Sequence, residues 1–467
     1  MKEKLFIAVI LLLCLIPSAG MLLPARGEAG GNEVLAPPPL LRDAEGGING
    51  AYLPQLSGYV EDNYFLRQQM VSAWSALNQN LLHTSIADNV VLGKDGWLYF
   101  GGTLDDYTGA DLMTDREIFC AARNLTLMDR YVHDQGGFLV FTIAPNKNSL
   151  YPEHMPGLTV LPHRSNAEAL AERLAIGVGT DYYEAAPAPA AVYVDYADLF
   201  SLFRGQEETL YFTQDSHWNA KGAALAADAI MQHIIPPYSA YRQPCYFQET
   251  FIPQDNHRSD LYAMLYPTGK WRETDQTYGG ELHFTYDKPF RSANDMTIQT
   301  SGGAYGESLV MFRDSFGELL YPYFADTFSH AVFSRSMPYK LEELASEPAV
   351  VVIELVERNL DYLIQHPPIM PAPERTVPEA KIVDAPLALT AAPASSPEGY
   401  VLVQGTLPVE PAEESAVYLC SGGRRWEAFL LEDNGFALYV PEAGLEDLRV
   451  VFTAPEETVS LPAFVQK

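Results

Sequence analysis

Basic residues are scarce in this chain of 467 residues. It has 30 Lys and Arg against 60 Asp and Glu, so its formal net charge is −30. A surface with that excess of negative charge repels phosphate backbones, which excludes nucleic acid as an expected partner. A neutral glycan, or a ligand held in a locally basic groove, remains compatible with the charge. The hydrophobic share of 48% excludes general disorder, and the length predicts two domains.

Cysteine is also scarce, with four in the whole chain. Cys14 lies inside an apolar N-terminal run, too early for a lipid-attachment cysteine. Cys120, Cys245 and Cys420 are widely spaced and form no CxxC pair, which argues against a disulfide framework and against a zinc-thiolate site. The sequence predicts buried free thiols, and a single bridge such as Cys120 to Cys245 stays open as the alternative.

The N-terminus has the pattern of an export signal. Lys2 and Lys4 precede the apolar run from Leu5 to Leu23, and small residues flank Glu28 up to Ala29. We expect residues 1–29 to be a signal peptide that is cleaved after Ala29. The apolar run is nearly long enough to span a bilayer, so an uncleaved anchor is the alternative. Both interpretations place the protein at the cell surface, outside the cell, or anchored outside the cytoplasmic membrane.

Composition divides the rest of the chain into four segments. Residues 30–84 are expected to form a tether and an N-terminal helix, and residues 85–365 a large domain. The Pro- and Ala-rich residues 366–397 are predicted to be a linker. Residues 398–467 contain short runs of partly alternating polarity, which predict a small all-β domain of the sandwich type.

The large domain alternates helical and strand patterns. Its strands are apolar on both faces, which predicts an α/β fold with a parallel sheet flanked by helices. Lys94-Asp95-Gly96 between apolar runs predicts a hairpin. The other predicted elements are helices from Thr114 to Gln135, Asn219 to Ile234 and Gly317 to Phe328, strands from Phe138 to Ala144, Ala191 to Tyr196, Ser308 to Phe312, Ala331 to Ser334 and Ala349 to Leu355, and an insertion over residues 245–300 with a hairpin near Gly279.

Ser315 follows a predicted strand and immediately precedes a predicted helix. Ligands of parallel sheets bind at the carboxyl ends of the strands, so the Ser315 hydroxyl is expected to be exposed there. The backbone N–H groups of Ser315 and Gly317 would lie at the helix N-terminus, where they can receive an oxyanion. The alternative is an ordinary helix cap made by Asp314 or Ser315.

Asp215 and His217 lie two residues apart, just before another predicted helix. A serine nucleophile needs a base that takes its proton, and that base needs a carboxylate that fixes its tautomer. On an extended backbone both side chains point the same way, so Asp215 can orient His217. A surface His beside a capping Asp is the alternative. We expect no metal, because only His154 and His163 are candidate further zinc ligands, and they lie in a Pro-rich loop.

Two further segments follow predicted strands. Asn146, Lys147 and Tyr151 come after the first buried strand, where they either donate hydrogen bonds to substrate or shape a loop. Glu354 lies within an apolar strand, where a charged carboxylate is costly unless it is paired. A structural ion pair with Arg358 or Arg313 is the expected solution.

The four segments GKDGWLYF, APNKNSLYPE, DSHWN and RDSF occur in this order. In that combination, roughly residues 85–360 resemble the alginate O-acetyltransferases of the AlgX and AlgJ type and the related DHHW proteins of Gram-positive bacteria, which have SGNH hydrolase-like domains. The resemblance implies a catalytic triad of Ser315, His217 and Asp215. One departure is Arg313, which replaces the family's glycine before Asp314 and is counted here among the substrate-binding candidates.

The resemblance also implies acetyl transfer to a cell-surface or exported polysaccharide, without a cofactor. It implies a membrane-bound O-acyltransferase as the partner that delivers the acyl group. Two alternatives stay open: an esterase that removes O-acetyl groups from a glycan with the same triad, and a non-catalytic glycan-binding scaffold. The scaffold is favoured if Arg313 disables the turn that carries Ser315.

Overall fold

The computed structural model describes residues 2–20, 35–43, 46–177, 194–235, 241, 243–344, 350–443 and 445–466. Its α-helices are α1 (Lys2–Gly20), α2 (Tyr52–Asn63), α3 (Arg67–Leu82), α4 (Leu104–Thr108), α5 (Asp115–Asp134), α6 (Lys147–Leu150), α7 (Asn166–Ile176), α8 (Leu199–Arg204), α9 (Ala220–Ile234), α10 (Asp260–Leu265), α11 (Gly317–Thr327) and α12 (Tyr362–Gln365).

The β-strands form a hairpin, a central sheet, a second two-stranded pair and a C-terminal sheet. They are β1 (Val90–Leu92), β2 (Leu98–Phe100), β3 (Phe138–Ala144), β4 (Asp195–Ala197), β5 (Phe251–His257), β6 (Glu273–Tyr278), β7 (Thr285–Tyr286), β8 (Thr297–Ser301), β9 (Tyr305–Phe312), β10 (Phe328–Ser334), β11 (Val350–Val356), β12 (Lys381–Ile382), β13 (Leu387–Pro393), β14 (Tyr400–Thr406), β15 (Val417–Ser421), β16 (Arg424–Glu427), β17 (Phe429–Leu430), β18 (Gly435–Pro441), β19 (Arg449–Thr453) and β20 (Thr458–Val465).

The N-terminal region begins with the helix α1. Across the described residues, no helix combines the length and the apolar character that a membrane crossing requires. The expected cleavage site after Ala29 lies outside the described residues. The amphipathic segment that follows forms two helices, α2 and α3, because Leu66 between them adopts a left-handed backbone with φ of 65°.

Local signals predicted several elements correctly. The hairpin over residues 90–100 is formed by β1 and β2. The side chain of Thr114 accepts a hydrogen bond from the backbone N–H of Glu117, and the carboxylate of Glu117 accepts one from the backbone N–H of Thr114, so α5 begins with a capping box. The hairpin predicted near Gly279 is wrong. In the insertion, β5 pairs with β6 across a connection that contains α10, and Gly279 lies beyond the end of β6. Residues 191–193 and 349 of two predicted strands lie outside the described residues.

The central sheet has the strand order β4-β3-β11-β9-β10-β8-β7. The first five strands are parallel, and β8 and β7 add an antiparallel edge, so the sheet is mixed and mostly parallel. Helices cover both faces. In β3, Leu139, Phe141 and Ile143 pack on the side of α5 and α7, while Val140 and Ala144 pack on the side of α9 and α11. The carboxyl ends of β3, β9 and β11 therefore lie at one edge.

The C-terminal sheet is a nearly closed barrel, and the predicted sandwich is wrong. Its nine strands run β16-β15-β19-β20-β13-β14-β18-β17, with β12 paired to β20. The two edge strands β16 and β17 are separated by Ala428 alone, which brings the edges of the sheet together. Alternating polarity predicts strands with one buried face, and a sandwich and a barrel share that pattern. Part of the expected linker belongs to this sheet, since it contains β12 and β13.

The three cysteines beyond the N-terminal segment are free thiols, so the bridge between Cys120 and Cys245 is not formed. The expectation of burial holds for Cys120 alone. Cys245 is exposed and Cys420 is partly exposed. Burial raises the pKa of the Cys120 thiol to about 11, which keeps it protonated at neutral pH.

The barrel packs on α5 through a buried polar contact. Arg123 of α5 donates through Nε to Glu427 Oε1 at 2.7 Å, and its NH2 lies 2.6 Å from the same oxygen. Asn124 binds both the N–H and the carbonyl of Leu430. The apolar core on this face of the central sheet continues into the barrel. The two parts of the chain therefore share one interior.

Replacing Glu427 by alanine is expected to lower the free energy of unfolding by about 3–5 kcal/mol, because the guanidinium groups of Arg123 and Arg375 lose this buried carboxylate. Urea unfolding followed by tryptophan fluorescence measures the change. Glu457→Ala is the matched control, since its pair with Lys381 is exposed and should contribute less than about 1 kcal/mol. Equal losses in the two variants would contradict a stabilising role for the buried pair.

Candidate active site

The turn between β9 and α11 carries Ser315. Asp314 shapes it, because its carboxylate accepts hydrogen bonds from the backbone N–H groups of Phe316 and Val356, both at 2.8 Å. The side chain of Ser315 caps no helical N–H; its Oγ lies 2.8 Å from Nε2 of His217. The hydroxyl is thus directed toward the imidazole and away from the start of α11.

The loop before α9 carries Asp215 and His217. Asp215 Oδ1 lies 2.7 Å from His217 Nδ1 and also accepts the backbone N–H of His217 at 3.0 Å. This network assigns the proton to Nδ1 and leaves Nε2 as the acceptor for the hydroxyl of Ser315. The structure therefore brings the three predicted side chains into one continuous hydrogen-bonded chain.

Trp218 joins the two loops. Its indole N–H donates to the carbonyl of Phe316 at 3.1 Å, and the Phe316 ring lies 4.7 Å from the ring of His217. Trp218 and Phe316 are both fully buried. A rigid aromatic contact thus sets the distance between Ser315 and His217, which explains why a tryptophan directly follows the histidine.

The pKa values of Asp215 and His217 depend on each other's charge. Burial acts to raise the pKa of Asp215, but the hydrogen bonds and the positive charges of His217 and His257 hold it well below the usual value. Burial acts to lower the pKa of His217, but the hydrogen bond from Asp215 and the charges of Asp215 and Asp260 raise it. His217 must be neutral to take a proton, so the site gains a working base as the pH rises through this raised pKa.

Two side chains at the site were not predicted, and both come from the insertion. His257 Nε2 donates to Asp215 Oδ2 at 2.9 Å, and its ring stacks on Phe212 at 3.7 Å. Asp260 accepts from the hydroxyl of Ser216 at 2.6 Å and lies 3.6 Å from His217 Nδ1; burial raises its pKa to about 6. They lie 42 and 45 residues beyond Asp215, so no local spacing could have identified them.

Replacing His257 by phenylalanine is expected to lower activity by about tenfold, since Asp215 loses one hydrogen bond to a charged oxygen while the ring stacking on Phe212 is kept. Rates of acetyl-ester cleavage across pH measure the effect. His330→Phe is the control, because His330 lies on β10 and contacts Ser301 and Asp287 at an exposed position. Activity within twofold of wild type would remove His257 from the site.

Asp215, His217 and Asp260 also offer one ligand atom each within 4.8 Å of one another, a spacing that a metal ion could use. Coordination through Nδ1 of His217 would take the place of its hydrogen bond to Asp215. The same atoms thus serve a metal or the triad, and the expectation of no metal stays a prediction.

The contacts of Lys147 favour the loop-shaping alternative. Its ammonium group donates to the carbonyl oxygens of Phe212 and Thr213, both at 3.0 Å, and of Asp215 at 2.5 Å. These bonds use all three N–H donors, so none remains for a substrate. Burial lowers its pKa to about 8. Lys147 therefore holds the backbone of the loop that carries Asp215.

Tyr151 and Asn146 also support the surrounding structure. The hydroxyl of Tyr151 accepts the backbone N–H of Leu210 at 3.0 Å, and its ring packs against Trp97 at 5.2 Å. The backbone N–H of Asn146 donates to Glu357 at 2.8 Å, and its Oδ1 lies 3.5 Å from Arg358. These contacts favour the loop-shaping alternative for Tyr151. For Asn146, which lies just beyond the carboxyl end of β3, these contacts involve the backbone N–H and Oδ1, and the side-chain N–H groups take no part in them.

The side chain of Arg313 is bound by backbone carbonyls near Ser315. Its guanidinium donates to the backbone carbonyls of Ala293 at 2.5 Å and Asp314 at 3.2 Å, and it is buried. The side chain passes so close to Gly317 that a Cβ there would lie 2.5 Å from it, which explains the glycine. Arg313 therefore contacts the turn that carries Ser315 while its guanidinium is held by backbone carbonyls, and the non-catalytic scaffold stays open as an alternative.

Two backbone donors beside Ser315 remain available. Within the described part of the chain, the N–H groups of Ser315 and Gly317 donate to no acceptor, whereas that of Phe316 is used by Asp314. The expected ion pair of Glu354 is not formed among the described residues. Its Oε2 accepts the backbone N–H of Asp314 at 3.2 Å, and burial together with the charge of Asp314 raises its pKa well above the usual value. Burial and the charge of Asp314 thus favour the neutral form of Glu354, which lowers the cost of burying it without a cation.

Residues 90–279, which include Asp215 and His217, match the family model described as "SGNH hydrolase-like domain, acetyltransferase AlgX". The resemblance to the AlgX and AlgJ family is confirmed. "Probable alginate O-acetylase AlgJ" of Pseudomonas syringae pv. tomato is 25% identical over 224 residues, covering 47% of this chain and 51% of that protein. The protein of the same name from Pseudomonas aeruginosa is 23% identical over 220 residues, with the same coverage.

The chain spans about half the length of these curated AlgJ relatives. Among solved structures, Bacillus cereus PatB1 is 17% identical with a TM-score of 0.43, covering 58% of this chain and 97% of PatB1. The O-acetyltransferase domain of Pseudomonas putida AlgJ is 16% identical with a TM-score of 0.35, covering 58% of this chain and 92% of that domain. Ser315 lies outside the residues that match the AlgX model.

Proposed function

We propose that this protein is an extracytoplasmic O-acetyltransferase that modifies a cell-surface or exported polysaccharide. The observation that carries the proposal is the hydrogen-bonded chain from Ser315 Oγ to His217 Nε2 at 2.8 Å and from His217 Nδ1 to Asp215 at 2.7 Å. A nucleophile, a base and an orienting carboxylate in that order are what acyl transfer through a serine requires.

The first step forms an acyl-enzyme. His217 Nε2 takes the hydroxyl proton of Ser315 as Oγ attacks the acetyl carbonyl, and the N–H groups of Ser315 and Gly317 stabilise the oxyanion. The bond from the carbonyl carbon to the donor's oxygen breaks, and His217 returns the proton to that oxygen. Asp215 stabilises the imidazolium while it carries the extra proton.

The second step transfers the acetyl group. His217 takes the proton of a sugar hydroxyl, whose oxygen attacks the acetyl carbonyl on Ser315. The ester bond to Ser315 breaks, and the proton returns to Oγ. The names of the AlgJ relatives support a polysaccharide acceptor. The donor group is proposed to come from a membrane-bound O-acyltransferase partner, and the site requires no cofactor for either step.

Cleavage of a chromogenic acetyl ester by the full chain, with and without oligosaccharide acceptors, tests the proposal. Acetylated oligosaccharide detected by mass spectrometry, with release of the chromophore accelerated by the acceptor, is the expected result. Chromophore release that no acceptor changes, with no acetylated sugar, would instead identify an esterase that uses water. No release above that of Ser315→Ala would reject both enzymes and leave a glycan-binding scaffold.

A further inference from the structure

The helix α3 packs on the rest of the protein with its polar side. Gln79 accepts a hydrogen bond from the hydroxyl of Tyr266. Ser72 Oγ accepts the backbone N–H of Thr268 at 3.2 Å and its hydroxyl at 2.9 Å. Ser75, on the same side of the helix, is buried. A surface helix of a globular protein normally buries its apolar stripe against the core, so the arrangement in α3 is the reverse of the usual one.

The opposite side of α3 is an exposed apolar stripe. Its four large side chains recur every three or four residues, which places them on one face of the helix. They are 40–69% exposed: Met70, Trp74, Leu77 and Leu81. Ala73 is exposed beside them. Contiguous apolar surface of this kind, outside any core, indicates contact with a protein or with a membrane.

The apolar stripe lies in a segment without negative charge. The chain has 60 acidic residues, yet none occurs between Asp62 and Asp88, and Arg67 is the only Lys or Arg there. Because lipid headgroups carry phosphate, a surface without carboxylates approaches them with the least repulsion. Trp74, in the stripe, belongs to the residue type that is enriched at membrane interfaces, since its ring is apolar and its N–H is polar. Charge and residue type therefore favour a lipid surface.

The N-terminal helix extends the same apolar surface. The described side chains of α1 include exposed apolar residues along its length: Phe6, Ile7, Leu11, Leu12 and Leu15. Its last residue, Gly20, lies against Phe65 just before α3, since a Cβ at Gly20 would overlap that ring. A bilayer is extended enough to cover the apolar side chains of both helices at once.

We propose that α3 is an interfacial helix that lies on a lipid bilayer, with the apolar stripe at the boundary between headgroups and acyl chains. The inference goes beyond the proposed function and does not depend on it, because acetyl transfer uses no residue of the stripe. Tyr266 and Thr268, which bind α3, follow α10, whose first residue is Asp260. The contact therefore holds this side of the active site near the bilayer.

Trp74 reports on the contact directly. The full chain is mixed with vesicles of phosphatidylcholine whose acyl chains carry bromine, which quenches tryptophan fluorescence only at short range within the bilayer. Of the five tryptophans three are buried, and the exposed two are Trp74 and Trp271. We expect quenching that is lost in Trp74→Phe and retained in Trp271→Phe, the matched control.

Charges in the apolar stripe test the contact without removing the reporter. Leu77→Glu combined with Leu81→Glu puts two carboxylates where the acyl chains lie, so the quenching of Trp74 should be lost. Ile382→Glu is the control, because Ile382 is 70% exposed on β12 of the barrel. All three leucine and isoleucine side chains are exposed, so the thermal midpoint should stay within about 2 °C of wild type in each variant.

Three results would overturn the proposal: no quenching of the wild-type chain, quenching that is lost in Trp271→Phe instead, or quenching that survives the two glutamates. A second copy of this chain is the rival partner, and Ala73→Cys detects it. Disulfide-linked dimer above the background of the parent chain, whose exposed thiol is Cys245, without quenching by lipid would assign the stripe to that copy. None of these outcomes bears on acetyl transfer.

Discussion

Replacing Ser315 by alanine is expected to lower acetyl-ester cleavage by about a thousandfold or more, because no other oxygen is held at 2.8 Å from His217 Nε2 within the described site. The rate of chromophore release at saturating ester measures the loss. The remaining activity reflects the oxyanion donors and binding, which the substitution leaves in place. Loss of only a few-fold would mean that water attacks the ester directly and that Ser315 is not the nucleophile.

Ser329→Ala is the matched control for Ser315→Ala. Ser329 lies on β10, and its hydroxyl donates to the carbonyl of Glu307 near the opposite end of the sheet. Its replacement removes the same oxygen atom from the same domain and should leave the rate unchanged. Mass spectrometry after brief exposure to the ester adds a second measurement, since an acetyl adduct should form on wild type and be absent from Ser315→Ala.

Replacing Asp215 by asparagine is expected to lower the rate by about 10³- to 10⁴-fold. The carboxylate accepts four N–H groups: two from His217, one from His257 and the backbone N–H of Asp260. An amide has one acceptor oxygen, so its NH₂ group faces a donor and His217 loses the tautomer that leaves Nε2 free. Ester cleavage across pH measures the change.

The pH profile gives Asp215→Asn a signature beyond the loss of rate. Asp215 raises the pKa of His217 in the wild type, so activity should rise with pH through a pKa above the ordinary histidine value. Without the negative charge the remaining activity should rise at lower pH. Asp228→Asn is the control, because Asp228 accepts two backbone N–H groups of the Tyr246 turn far along α9. An unshifted profile in Asp215→Asn would contradict the assigned base.

Local sequence was sufficient for the elements that carry the triad. An apolar strand followed by a helix predicts where Ser315 lies, and the two-residue spacing of Asp215 and His217 predicts their contact, because both signals depend on neighbours in the chain. The parallel sheet then requires that strand ends share an edge. That rule places Ser315 at the edge, whereas His217, 98 residues away in the chain, reaches it on the loop between α8 and α9, which follows no strand of the sheet.

Signals that depend on distant partners were not available from the sequence. His257 and Asp260 contact Asp215 only because the insertion folds back over the loop. The same alternating pattern is typical of a sandwich and of a barrel. The C-terminal sheet is a nearly closed barrel because its two edge strands, β16 and β17, lie next to each other. The sequence also leaves the orientation of a long side chain undetermined. It placed Lys147 and Arg313 near the site, but the groups that their charged ends bind depend on the tertiary structure.

The sequence by itself determined the residue types of the proposed triad, the strand end on which Ser315 lies and the family that the chain resembles, because each follows from local pattern. The tertiary structure decided what surrounds them. It bound Arg313 to the backbone carbonyls of Ala293 and Asp314, and it gave Glu354 the backbone N–H of Asp314 in place of an arginine. Packing determines these features, since each depends on which distant groups a buried side chain meets.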